Sequence, residues 1–176
     1  MKKVKICIID NEMGSAFKIW EGINSYAKSN DVELECRFAL IDFNGAPEMK
    51  ESIEYFSSKI QQVKYQECKS MEEVNSLIAE DKGGEWVYLL DVCLEGDEAD
   101  RMNENADYQC ASMIIYQKLK GKKSYVYSRY IENGIVREWN RRLQELDGDT
   151  DPEIVERETL VKNYFDAAIG KKILGI

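Results

Sequence analysis

Apolar and polar positions along this chain follow two rhythms. Short unbroken apolar runs at residues 5–9 (Lys-Ile-Cys-Ile-Ile), 86–91 (Trp-Val-Tyr-Leu-Leu-Asp) and 123–127 (Lys-Ser-Tyr-Val-Tyr) read as strands buried on both faces, as in a parallel sheet. Residues 32–41 and 63–68 read as two more strands, with a turn at Asn44-Gly45 and Pro47 after the first. Between the runs the spacing is helical. Ala16, Trp20, Ile23 and Ala27 mark the inner face of a helix that Ser15 can cap, and Met49, Ile53, Phe56 and Ile60 mark a second at 48–61. Ser70 followed by Glu73 forms a capping box for a third helix carrying Val74, Leu77 and Ile78.

The second half continues the alternation. Residues 96–107 hold Asp97, Glu98, Asp100, Glu104 and Asp107 with almost nothing apolar and read as a solvated acidic loop or, functionally, as an acidic lid over the crevice at Asp91. Their spacing does not match a calcium loop. A helix bearing Ala106, Cys110, Met113, Ile114 and Gln117 follows, and a later one at 134–146 turns Ile135, Trp139, Leu143 and Leu146 inward. After a loop at 147–152, Asp151 as cap, Pro152 at the first helical position and Gly170 as terminator favour one helix over 152–169, leaving 171–176 as a terminal strand. Strand and helix in alternation predict an α/β fold, a three-layer α-β-α sandwich around a mostly parallel central sheet. At 176 residues it is read as a single domain.

Composition removes several functions. Lys and Arg number 24 against 33 Asp and Glu, a formal charge of -9, which argues against a nucleic-acid surface. Arg137, Arg141 and Arg142, interleaved with Glu138 and Glu145, read as a solvated helix face. No run is long enough to span a membrane, and two lysines lead straight into a strand, so neither signal peptide nor anchor is expected. The five cysteines, without a Cys-x-x-Cys pair, read as small hydrophobes of a reducing, cytoplasmic protein. The absence of histidine excludes imidazole bases, Ser-His and Cys-His nucleophiles, His-ligated zinc and any phosphohistidine donor. In a phosphorelay, such a chain can only receive.

The candidate chemistry lies where strands end. Asp91 closes the longest apolar run, Asp10-Asn11-Glu12 follow the first strand, and Ser128 follows the strand at 123–127. In a parallel sheet these ends share the carboxyl edge, where α/β folds bind ligands. Taken alone, Asp91 could equally be a carboxylate that hydrogen-bonds the next turn.

These three strand ends, Ile8-Ile9-Asp10-Asn11-Glu12, Leu89-Leu90-Asp91-Val92-Cys93-Leu94 and Tyr125-Val126-Tyr127-Ser128, with the helices between them, resemble the receiver domain of bacterial response regulators, of flavodoxin-like topology. The resemblance implies a phosphoacceptor at Asp91, Mg2+ held by Asp10, Asn11, Asp91 and the backbone carbonyl of Cys93, with Glu12 a further candidate ligand, and a phosphoryl hydrogen bond from Ser128. A receiver would also have a strand near 153–158 with a lysine at its end. Relative to that pattern the chain carries an additional strand and helix at about 32–60, read as an added sheet edge or a homodimer surface. Asn11 replaces an aspartate, which weakens metal binding. Arg129 replaces a small residue and either blocks access or supplies the missing cation. No lysine can be assigned to the last position.

The implied function is a stand-alone receiver-like signalling protein, phosphorylated at Asp91 by a histidine kinase or phosphotransfer protein and acting on a downstream protein target, with no catalysis beyond that transfer. The alternative is a degenerate receiver that takes no phosphate and serves as a constitutive interaction module. A nucleotide binder finds no glycine-rich loop after any strand.

Overall fold

The computed structural model describes residues 1–129 and 134–176. Six strands, β1 (Lys2–Asp10), β2 (Val32–Ile41), β3 (Lys64–Cys68), β4 (Trp86–Asp91), β5 (Ser124–Ser128) and β6 (Ile154–Glu156), form one sheet in the order β3-β2-β1-β4-β5-β6. Every pairing is parallel. The expected α/β sandwich is therefore present. Three helices, α1 (Met13–Ser29), α2 (Pro47–Ser57) and α7 (Ala167–Leu174), cover the face presenting Ile6, Ile8, Leu89 and Tyr127. On the other face lie α3 (Met71–Ala79), α4 (Glu98–Glu104), α5 (Ala111–Lys118) and α6 (Ile135–Leu146), packed on Cys7, Ile9, Leu90 and Val126. Among the described residues no helix is long and apolar enough to cross a membrane.

The chain leaves β1 toward β2 and leaves β4 toward β5, so the sheet's switch point lies between β1 and β4, which are paired. There the loops diverge and open a crevice, and Asp10 and Asp91 stand on its two sides.

The capping box is made as expected: Ser70 Oγ accepts from the Glu73 amide at 3.3 Å, and Glu73 reaches back to the Lys69 amide. Five expectations need correction. Ser15 is not the cap of α1 but a buried residue in its first turn. The acidic stretch 96–107 contains α4, because Glu98 is drawn inward to accept the Glu95 and Gly96 amides while Met102 packs into the core. Residues 32–41 are not a sheet edge: they form β2, an inner strand paired with β1 and β3. The 152–169 helix is not formed: 154–156 pair with β5 as β6, followed by 3-10 turns at Arg157–Leu160 and Lys162–Tyr164. With that helix goes the terminal strand it would have left, since residues 167–174 are helical.

Arg142 is the fifth. It is buried, with guanidinium bonds to the carbonyls of Met102, Asn105 and Tyr108 and to Glu138. It ties α6 to the segment after β4 rather than facing water.

Gly22 fixes the seat of the first 3-10 turn. A Cβ there would lie 2.1 Å from the Leu160 carbonyl oxygen, and backbone cannot swing aside as a long side chain can. Gly22→Ala is expected to destabilise the protein by about 1–3 kcal/mol in a denaturant melt, despite alanine's better helix propensity.

Candidate functional site

The sheet register aligns the site. Asp91 pairs with Tyr127, and Ile9 with Leu90, so Tyr127, Asp91 and Asp10 occupy successive strands in one row. Alternation turns all three toward the face of Ile8, Leu89 and Tyr125. The Tyr127 hydroxyl donates to Asp10 Oδ2 at 2.6 Å, spanning the width of β4. Asp10 Oδ1 accepts the Glu12 amide at 2.8 Å, and Asp10 is fully buried. Asp91 is half-buried and accepts the Cys93 amide at 3.2 Å.

Above Asp91 is a cavity of about 260 Å³ bordered by Asn11, Glu12, Ser15, Cys93, Arg129 and Arg157 among others. Arg129 pairs with Glu12 at 2.7 Å across its mouth. Arg157 is 8% exposed. Its Nη1 approaches Ser15 Oγ at 3.4 Å and its Nη2 bonds Glu158 at 2.6 Å, while its buried Nε has no hydrogen-bond partner among the described residues. Arg157 thus brings a largely buried positive charge to the border of the cavity that Asp91 also borders.

Charges crowd this edge. Burial pushes the Asp91 carboxyl well above the usual carboxylate range, and the Asp10 charge pushes it further. Burial raises Asp10 as well, while bonds from Tyr127 and the Glu12 amide favour its charged form. Burial likewise raises Glu98 and pushes the Cys93 thiol up to about 12. Tyr127 stays a neutral donor, its hydroxyl raised by burial and by both aspartates.

Of the residues expected at the site, Asn11, Glu12, Asp91, Cys93 and Arg129 border the cavity. Asp10 lies beneath it. Ser128 is fully buried, and alternation sends it toward the Val126 face, while Tyr127 takes the place beside Asp91. Oxygen donors are the right kind for Mg2+. As arranged, however, both Asp10 oxygens accept hydrogen bonds and Glu12 is turned to Arg129, and no described group of three or more acidic, His or Cys side chains is set to hold an ion. Asp10 and Glu12 thus direct these oxygens to bonds within the protein. Tyr127, Ser15 and Arg157 were given no role at the site by sequence reasoning. Only Arg157 left a signal there, a cation just past the strand that a receiver requires.

Searches against family models, curated proteins and solved structures find no match to this chain.

Proposed function

We propose that this protein is a receiver-like signalling module that accepts a phosphoryl group on Asp91 and acts through protein contacts. One observation carries the reading: at the switch point of a parallel sheet, the Asp91 carboxylate and the largely buried Arg157 border the same cavity. In the transfer, an Asp91 carboxylate oxygen attacks the donor's phosphorus. The new O–P bond forms as the donor's N–P or O–P bond breaks, and the leaving imidazole or carboxylate keeps the electron pair. Arg157 would meet the phosphoryl oxygens from one side, with Arg129 close by once released from Glu12. The donor is a histidine kinase or phosphotransfer protein, since the chain has no histidine of its own.

The first test is incubation with acetyl phosphate or phosphoramidate, with and without Mg2+, followed by intact mass. One added phosphoryl group is expected; no addition under either condition overturns the proposal. Arg157→Met should slow labelling by about 10²–10³-fold, the usual cost of losing one preorganised donor, with Arg157→Lys between it and the native rate. Equal rates for all three would remove Arg157 from the chemistry.

A second reading has one observation in its favour. The Tyr127–Asp10 bond and the Glu12–Arg129 pair satisfy within the protein groups that a receiver leaves for its metal and phosphoryl group. A constitutive interaction module, built on the same fold and never phosphorylated, would look like this. A chain that stays unlabelled yet captures the same partner with Asp91 intact or replaced would establish it.

A further inference from the structure

A second cavity, about 340 Å³ in volume, opens beside the first over the ends of β1 and β2 and shares Asn11 and Glu12 with it. Its apolar wall is formed by Phe43 from the β2–α2 loop, Met49 and Phe56 from α2, and Leu94 from the loop after β4, and the neutral polar residues Asn11, Asn44 and Ser52 line it as well. Its charged lining is of one sign. Glu12, Asp42, Glu48 and Glu95 border it, and no lysine or arginine does.

Two of these carboxylates already have cationic partners, Glu12 with Arg129 and Glu95 with Arg101. The other two do not. Asp42 is only 9% exposed, its Oδ1 accepts the Ala46 amide at 2.8 Å, and it belongs to no ion pair among the described residues. Glu48 sits in the first turn of α2, so that helix's partial positive end is answered by Asp42 and Glu48 without an external anion.

We infer that this cavity is a binding site for a small organic cation, a primary amine carried on an apolar body. The ammonium meets Asp42 and Glu48, and the body packs between Phe43, Met49 and Phe56. Volumes of about 300–1,000 Å³ are typical of small-molecule sites with mainly apolar walls and a few placed polar groups. The site is separate from Asp91 and does not require its phosphorylation.

The test is calorimetric titration of the full chain with three ligands of one shape, 2-phenylethylamine, 2-phenylethanol and phenylacetate, and with spermine as a cation lacking an apolar body. Saturable binding is expected for the amine, at least tenfold tighter than for the alcohol, with none for the anion. Asp42→Asn keeps the acceptor for the Ala46 amide and should weaken the amine about tenfold, as should the exposed Glu48→Gln; far-UV circular dichroism confirms that each is folded. Asp91→Asn should bind the amine like the native chain, which separates this site from the phosphoacceptor. No saturation at millimolar amine, equal binding of amine and phenylacetate, tighter binding of spermine than of the amine, or native affinity in both carboxylate variants would each overturn the inference.

Discussion

Asp91→Asn is expected to abolish all labelling by a small phosphodonor, and at neutral pH to melt at a higher temperature than the native protein. The first effect follows from removing the carboxylate that borders the cavity beside Arg157 at a strand end of the switch point. The second follows from the raised Asp91 carboxyl. A carboxyl whose folded-state value exceeds its unfolded one binds its proton more tightly when folded, so it favours the fold at low pH. That contribution is complete below the unfolded value of about 3.9 and is lost as pH rises through the folded value. The native protein should therefore lose stability as pH rises across this window, while Asp91→Asn, neutral throughout and still able to accept the Cys93 amide, should not. Each 1 kcal/mol of relief would appear as about 2–4 °C in a chain of this size. Melting curves at pH 4, 5.5 and 7 decide it: a variant less stable than the native chain at pH 7 would mean that Asp91 is held by a favourable charge partner.

The largest stability effect is expected at Trp139. Its indole is fully buried and its Nε1–H donates to Ser112 Oγ at 2.9 Å, while Ser112 in turn donates to the Val92 carbonyl at 2.6 Å. Trp139→Ala opens a cavity beneath α6 and leaves Ser112 short of a donor, costing about 3–5 kcal/mol. That corresponds to a fall in Tm of roughly 10–15 °C. Trp139→Phe fills most of the volume and loses only the hydrogen bond, about 1 kcal/mol. Because Val92 follows Asp91 directly, this chain of bonds also joins the site to the helix after β5. A melting temperature shifted by less than 3 °C in the alanine variant would show that α6 is not seated by its tryptophan.

Strands were the most legible part of the sequence, because a sheet covered on both faces needs unbroken apolar runs and Ile6–Ile9 or Val87–Leu90 can satisfy little else. The same runs end in Asp10 and Asp91, which the parallel register brings to one edge of the sheet. Misreadings came where one local signal outweighed a tertiary one. Asp151 and Pro152 start a helix in isolation, but Val155 pays more by completing the sheet beside Tyr127, and 154–156 become β6. The stretch 96–107 has too few apolar residues to show a period, and its order comes from Glu98 folding back on its own loop. Arg142 and Arg157 were illegible for a different reason. A buried arginine looks on paper like an exposed one, and only the carbonyls that meet Arg142, or the cavity beside Arg157, distinguish them.

The five thiols are spread over β1, β2, β3, the loop after β4 and the start of α5, and four of them are sealed in the interior. Burial raises Cys7 to about 11 and Cys68 to about 12, so an alkylating reagent at neutral pH meets almost no thiolate until the segment around each one opens. The chain thus carries its own set of clocks. Pulsed alkylation read by peptide mass would time the opening of the outer strand at Cys68 against that of the central strand at Cys7, without a single engineered probe.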